Sequence, residues 1–460
     1  MSENLFSKLA LKPQLLTRLD AMGFDTMTPV QAASLPSLIS GKDVIAQAST
    51  GSGKTAAFAL ACLQHLDSSA FHVQSLVLCP TRELAEQVAQ SLRDLAKNLA
   101  NTKVLALCGG VPLGPQIGSL QHSAHIIVGT PGRVLKHLQK GTLHLHGLEI
   151  TVFDEADRML DMGFADEIDA ICSYLPQPRQ TLLFSATFPE GVQSLAQGLS
   201  DDAVHVDVTT HEAAPPIRQQ WCGIDARERD QALVSVLAHF GGERNMVFCN
   251  TKIECAEVSA RLCREGMKAV TLHGDLEQQQ RTQTLVRFAN GSANVLVASD
   301  VAARGLDIDS VDAVFNHTLP AQPEVYLHRI GRTGRGGETG SAISLVADRD
   351  MNRLHSIEAF MQQGPMAVLQ IPDRAPPGPL PDPLYTTLEI NGGRRHKLRP
   401  GDILGALTAH ASVTGALVGK IDLLDQSTFV AVHSSVVVQA LQQLNQYKVK
   451  GRSLRARRAT

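Results

Sequence analysis

The residues best suited to chemistry lie in the octapeptide Ala48-Ser49-Thr50-Gly51-Ser52-Gly53-Lys54-Thr55. It reads A-x-x-x-x-G-K-T, a phosphate-binding loop with Ala48 where glycine is usual. The apolar run Asp43-Val44-Ile45-Ala46 leads in and an alanine-rich helical pattern, Ala56 to Leu66, leads out. Strand, glycine loop and helix in that order aim backbone N–H groups and a helix N-terminus at phosphate oxygens. Lys54 would reach the β- and γ-phosphates, and the Thr55 hydroxyl would ligate Mg²⁺. A plain glycine turn needs neither side chain, whereas here both stand in register. The loop alone says nucleotide and leaves the use of the energy open.

A second acidic constellation, Asp154-Glu155-Ala156-Asp157, follows the apolar run Ile150–Phe153. A carboxylate leaving a buried strand beside a phosphate loop suits the Mg²⁺-holding role, which falls to Asp154. Glu155 suits orienting or deprotonating an attacking water. Ser185-Ala186-Thr187 leaves the run Leu182–Phe184 in the same way and places two hydroxyls near the metal site.

The elements that position these groups alternate strand and helix, which implies parallel sheets covered on both faces. Ligands in such folds sit beyond the carboxyl ends of the strands, so the polar motifs should meet along one edge. At 460 residues the chain exceeds one core. Residues 1–208 form a first α/β domain, and Thr209 to Pro216 reads as a hinge. A second strand–helix series without a phosphate loop covers 217–371. A proline-dense spacer, 372–383, precedes a small domain at 384–460. The eight cysteines show no C-x-x-C pair and read as thiols of a reducing, cytoplasmic compartment. No apolar run reaches the roughly 20 residues that span a bilayer, so no membrane partner is expected. The net charge of −3 conceals 11 Lys/Arg against 4 Asp/Glu in residues 384–460, a net +7 on an otherwise acidic chain. A basic tail on an acidic body points to a polyanion or to a solvated basic face.

With these motifs in this order, the chain resembles the DEAD-box RNA helicases of superfamily 2. Further family motifs are the stretch Gly23–Gln31, Pro80-Thr81-Arg82-Glu83-Leu84-Ala85, Gly109-Gly110 and Thr130-Pro131-Gly132-Arg133. The resemblance implies two tandem RecA-like domains and RNA-stimulated ATP hydrolysis with ATP and Mg²⁺ as cofactors. It assigns adenine reading to Gln31, with Phe6 or Phe24 near the base. A glutamine amide pairs a donor and an acceptor with adenine's edge and would mismatch guanine. In the second domain it implies that Ser299 and Asp300 help hold RNA and that Asp307 meets the ribose. Arg332 and Arg335 in His328-Arg329-Ile330-Gly331-Arg332-Thr333-Gly334-Arg335 would be arginine fingers, with His328 linking the ATP site to Ser185 and Thr187. Arginines at this spacing, separated by glycines, supply N–H forks that suit phosphates.

Pro80–Ala85 and Thr130–Arg133 each open a helix after a strand, with threonine at the entry and arginine close behind. That pattern offers N–H groups, a hydroxyl and a cation to a nucleic-acid backbone, and Gly109-Gly110 allows close approach. Contacts of this kind do not read sequence.

The tail reads as strand 386–390, helix 401–411, strands 416–424 and 428–432, helix 435–445 and strand 453–457. This βαββαβ order is that of an RNA-recognition module, a small α+β fold. Its aromatic platform is thin: Glu389 stands where an aromatic is common, leaving Phe429 and His433 to stack bases. With Gly419-Lys420-Ile421-Asp422 and Lys450-Gly451-Arg452, the arrangement resembles the DbpA-type branch, implying that Lys450 and Arg452 meet a hairpin of large-subunit (23S) rRNA on pre-50S particles. The expected role is rRNA remodelling in large-subunit assembly, with no obligate protein partner. A DNA-directed superfamily 2 helicase and an RNA clamp that does not unwind are the rival readings.

Overall fold

The computed structural model describes residues 4–48, 51–200, 202–208, 217–303, 311–334, 339–371, 380–409 and 412–459. These fall into two compact units that divide at residues 214 and 215.

The first unit is built on a seven-stranded sheet: β1 (Val44–Gln47), β2 (Ser75–Leu78), β3 (Val104–Leu107), β4 (Ile126–Gly129), β5 (Ile150–Asp154), β6 (Gln180–Ser185) and β7 (Val204–Asp207). The order is β3-β4-β2-β5-β6-β1-β7 and every pairing is parallel. β2, β4, β5 and β6 are buried along their whole length, which is why they read as unbroken apolar runs rather than alternating ones. Helices cover both faces, giving two apolar clusters, one around Phe58 and Phe184 and one around Phe153 and Met159. The helix Arg82–Leu95 shows how the sequence sets this packing. Thr81 caps it by accepting from the Leu84 N–H at 3.3 Å, and Leu84, Ala85, Val88, Ala89, Leu92 and Leu95 form its buried stripe.

The second unit repeats the plan with β8 (Ile217–Gly223), β9 (Asn245–Cys249), β10 (Ala269–Leu272), β11 (Val295–Ser299), β12 (Ala313–Asn316), β13 (Gly340–Val346) and β14 (Ala367–Val368). Their order is β10-β11-β9-β12-β13-β8-β14, again all parallel.

The same unit carries the tail, a four-stranded antiparallel sheet of β15 (Tyr385–Ile390), β16 (Val418–Leu423), β17 (Thr428–His433) and β18 (Ala456–Arg458) in the order β16-β17-β15-β18. Helices Pro400–Thr408 and Val437–Gln446 complete the expected βαββαβ order. Leu388, Ile390, Val430 and Val432 face the helices and form the tail's core. The opposite face is also covered: Thr387, Glu389, Phe429 and Ala431 are all buried. Part of the cover comes from the turn after the helix Gln278–Ala289 of the second α/β domain, where the Asn290 amide donates to the Thr387 hydroxyl at 2.9 Å and that hydroxyl donates to Ser292 Oγ at 2.8 Å.

Candidate functional site

Strand order assembles the ATP-site motifs. β6 lies between β5 and β1, so Asp154, Ser185 and Gln47 end adjacent strands, with Asp154 paired to Phe184 and Gln47 to Ser185. The phosphate loop starts directly after β1, where the Ala48 N–H donates to the Ser185 carbonyl at 3.0 Å. Gly51 and Gly53 take φ of 86° and 97°, a left-handed backbone that glycine adopts without strain. Gly53 then starts the helix Lys54–His65. A β-carbon on Gly53 would lie 2.5 Å from Gln31 Nε2, so this glycine also makes room for the glutamine. Gln31 accepts from the Thr28 N–H at 2.9 Å and donates to the Gly53 carbonyl at 3.1 Å. The residue expected to read adenine thus also braces the phosphate loop.

Lys54 is buried and its ammonium donates to the Ala48 carbonyl at 2.9 Å, spanning the mouth of the loop. Thr55 follows it in the first turn of the helix, and Ser52 precedes Gly53. Phe6 sits in the hydrophobic core at 3% exposure, whereas Phe24 is 41% exposed and presents its ring. Ser49 and Thr50 lie outside the described residues.

Asp154 and Glu155 are both buried. Burial first, and then the neighbouring Glu155 charge, push the Asp154 carboxyl up to about 7, against the pull of the Lys54 ammonium. A raised carboxyl beside a second carboxylate is a site that a divalent cation would relieve, and the Thr55 hydroxyl and Asp154 carboxylate are the hard oxygen donors that Mg²⁺ takes. Glu155 adopts φ 53° and ψ 54°, a strained conformation for a residue with a β-carbon, at a cost of about 1–3 kcal/mol. Its carboxylate accepts from Arg158 Nη1 at 3.0 Å, which fixes the side chain at the start of the helix Ala156–Asp161.

Sequence reasoning gave Asp157 no role of its own. Its Oδ2 accepts from both the Thr187 N–H at 3.0 Å and the Thr187 hydroxyl at 2.8 Å. Its own N–H donates to Ser185 Oγ at 3.2 Å, and Ser185 donates on to the Thr187 carbonyl at 2.7 Å. The acidic quartet and Ser185–Thr187 are therefore one hydrogen-bonded body. The fourth letter of the quartet was the available signal.

The other half of the sheet's carboxyl edge holds the motifs expected to meet a nucleic-acid backbone, because β3, β4 and β2 are neighbours. Pro80 and Thr81 follow β2, Gly109 and Gly110 follow β3, and Thr130, Pro131 and Gly132 follow β4. The Arg82 guanidinium lies against Gly109 and Gly110: a β-carbon on Gly110 would fall 1.6 Å from Arg82 Nη1. Arg133 donates to the Val111 carbonyl at 2.8 Å and to Gln116 Oε1 at 2.9 Å. Both arginines thus shape the glycine loop from which N–H groups can face a backbone. Pro131 opens the helix Pro131–Gln139, and Gly132 is exposed with open space around it.

In the second unit the ends of β11, β9 and β12 are joined by Arg329, which is 1% exposed. Its Nε and Nη2 donate to Asp300 at 2.6 and 2.7 Å, Nη2 to Asn250 Oδ1 at 2.8 Å, and Nη1 to Asn316 Oδ1 at 3.1 Å. Both Asp300 oxygens serve this arginine, so Asp300 orders the edge next to Ser299, which ends β11. Arg329 was within the sequence motif but unassigned; it follows the buried Val325 and Tyr326 by four and three residues, on the buried side of the helix Pro323–Ile330, which also carries His328. Arg332 is buried, and its carbonyl accepts from the Val311 N–H at 3.0 Å. Asp307 and Arg335 lie outside the described residues.

In the tail, Lys450 and Arg452 occupy the tight turn closed by the Val449–Arg452 bridge, with φ of 51° at Lys450 and 76° at Gly451. Lys450 Nζ donates to the Lys397 carbonyl at 2.7 Å, which joins this turn to the exposed Arg394, Arg395, Lys397 and Arg399. The basic patch is thus made largely of loops. The sheet strands add the exposed Lys420, Arg457 and Arg458, of which Arg457 pairs with Glu389 at 2.8 Å, while Phe429 is buried and offers no stacking surface.

Comparison with known proteins follows this layout. Residues 28–195 match the DEAD/DEAH box helicase family, 228–337 the helicase conserved C-terminal domain and 387–458 the DbpA RNA binding domain. The chain is 50% identical over 457 residues to the ATP-dependent RNA helicase DbpA of Escherichia coli (strain K12), covering 98% of this chain and 99% of that one. It is 43% identical to the DEAD-box ATP-dependent RNA helicase CshA of Bacillus cereus over 77% of this chain and 67% of the relative. Among solved structures, Dbp5 of S. cerevisiae bound to RNA and ADP BeF3 superposes with a TM-score of 0.74 at 33% identity, covering 80% of this chain and 96% of that one. The chain belongs to the DEAD-box ATP-dependent RNA helicases and carries their DbpA-type RNA-binding domain.

Proposed function

We propose that this RNA-stimulated ATPase remodels large-subunit rRNA during 50S assembly and that its tail addresses it to a 23S rRNA hairpin through Lys450, Arg452 and the neighbouring Arg394–Arg399 loop. The observation that carries the proposal is the location of the tail's positive charge. Much of it lies on two loops joined by Lys450, while on the sheet face used by other modules of this topology Thr387, Phe429 and Ala431 are buried and Arg457 is paired with Glu389. A folded hairpin presents phosphates on a curved surface, which suits a loop-borne patch better than a flat stacking platform.

In the ATP site, Gly51, Ser52, Gly53 and the loop backbone cradle the phosphates as Lys54 gives up the Ala48 carbonyl for phosphate oxygen. Gln31 reads adenine, and of Phe6 and Phe24 it is Phe24 that stays exposed to pack on a base. Thr55 and Asp154 would hold Mg²⁺, which would supply charge neutralisation for the phosphates. Glu155, held by Arg158, takes the proton of the attacking water. Asp307 meets the ribose, and Arg332 and Arg335 stabilise the developing phosphate charge, a role worth about 10³–10⁵ in rate. Thr81, Arg82, Gly109, Gly110, Thr130, Gly132 and Arg133 track one RNA strand without reading it. Because RNA and ATP favour the same closed state, each tightens the other's binding. The bonded Asp157–Thr187 pair and His328 carry that coupling.

The test is ATPase stimulation by a large-subunit rRNA hairpin fragment against bulk RNA, in the wild type and in Lys450→Glu/Arg452→Glu. The hairpin should be preferred by the wild type and lose its advantage in the variant while bulk RNA still stimulates. An undiminished preference would overturn the assignment of the address to this patch. A duplex displacement assay decides between unwinding and a clamp that only holds RNA.

A further inference from the structure

We propose that His317 is a positioning residue for RNA-stimulated turnover, acting through Glu254 and Asn250 to hold Arg329 and Asp300 in place at the edge of the second sheet. His317 directly follows β12, and its side chain is 4% exposed. Its Nε2 lies 2.9 Å from Asp230 on the helix Arg229–Phe240, and its Nδ1 lies 3.1 Å from Glu254 on the helix Lys252–Arg264. The bonds continue from Glu254. Its second oxygen accepts from the Asn250 N–H at 3.1 Å, and Asn250 Oδ1 accepts from Arg329 Nη2 at 2.8 Å. Arg329 grips both oxygens of Asp300. Below the ring, Arg229 Nη1 donates to the His317 carbonyl at 2.5 Å.

Two carboxylates on one imidazole require both ring nitrogens to be donors, which only the imidazolium provides. A neutral ring would leave one lone pair facing Asp230 or Glu254, and that helix would lose its tie. The titratable and charged groups around the ring come from every neighbouring element: Asp230 and Arg229, Glu254, the buried and neutral Cys249 thiol ending β9, Arg261 acting on Asp230, Arg329, and Asp350 paired with Arg229. Burial lowers the His317 proton affinity, but the bonds to Asp230 and Glu254 outweigh it and leave the net value above the ordinary 6.5. The His317 bond holds Asp230 below the usual carboxylate range, and at Glu254 burial pushes up but His317 and the Asn250 and Thr251 backbone outweigh it and leave the carboxyl lowered. The sign follows: the tie is fully made below about 6.5 and is lost as pH rises through the raised histidine value.

The inference rests on the proposed RNA role of Ser299 and Asp300. The experiment measures RNA-stimulated ATPase from pH 6 to 9 in the full chain, together with the His317 ring resonance. In the wild type, the RNA concentration for half-stimulation should rise as the ring loses its proton, with kcat less affected. His317→Gln bonds one carboxylate at a time, so it should raise that concentration roughly tenfold at low pH and abolish the alkaline step. Asp230→Asn removes one charge and leaves the ring in place, so it should move the step and the resonance midpoint to lower pH. That second variant covers the case in which His317→Gln folds poorly. A His317→Gln profile that overlays the wild type, or an Asp230→Asn midpoint that does not move, overturns the proposal. Ser299→Ala lies outside the bonded chain and tests the edge alone. If it leaves RNA half-stimulation unchanged while His317→Gln alters it, the RNA role of Ser299 fails and the tie stands.

Discussion

Arg82 opens the helix after β2 and Gly110 lies in the turn after β3, and the guanidinium of one fills the space where a β-carbon of the other would be. The contact locks the turn after β3 to the helix after β2. Gly110 also has φ 74°, a conformation that costs an L-residue about 1–2 kcal/mol. Gly110→Ala should therefore displace Arg82 and weaken RNA stimulation roughly tenfold in half-saturating RNA, with the ATP concentration for half-maximal rate little changed without RNA. A titration of ATPase against RNA checks it; unchanged RNA dependence would contradict the placement of the RNA track.

Glu155→Gln keeps the hydrogen bond from Arg158 and removes the basic oxygen. Hydrolysis should fall by about 10²–10⁴ while ATP and RNA still bind, so the variant should release RNA slowly in ATP. Single-turnover hydrolysis and RNA dissociation report the two effects. Wild-type turnover with fast RNA release would rule out water activation by Glu155.

Because Asp154 must lose its proton to bind a cation, Mg²⁺ binding should release a proton and strengthen with pH until about 7, then level off. Mg²⁺ titrations of the ATP-bound protein between pH 5.5 and 8.5 test this. Asp154→Asn removes the proton linkage along with the metal ligand.

Arg329→Ala leaves Asp300 without its partner in a site where the arginine was 1% exposed. Breaking one side of a buried pair costs about 3–5 kcal/mol, so the second unit should unfold at markedly lower denaturant, while the first unit's transition is unchanged. Fluorescence of Trp221, the single tryptophan and a residue of β8, reports the second unit selectively.

Much of this was legible because the motifs sit at strand ends. Apolar runs such as Ile126-Ile127-Val128 mark buried parallel strands, and whatever follows them must reach the carboxyl edge. The tail's βαββαβ order was likewise readable from alternating strands and two helical runs. Strands that are short or only partly buried, such as β3 with its half-exposed Leu105 and Ala106, or the two-residue β14, leave a weaker trace. The partners of polar groups were not legible at all. Asp157 meets Thr187 across 30 residues of sequence and Arg329 meets Asp300 across 29. Only the strand order decides such meetings. The burial of Phe6 and Phe429 escaped for the same reason, since aromatic type does not say which face is covered.

The bond between Asn290 and Thr387 changes what kind of attachment the tail is. A domain on a loose leash raises local concentration and nothing more. One whose sheet is seated on its neighbour has a fixed bearing, so on the proposed roles RNA held by Lys450 and Arg452 would be oriented with respect to Ser299 and Asp300 as well as kept close. The tail would then work like the fence of a saw bench, setting the angle at which a bound strand arrives.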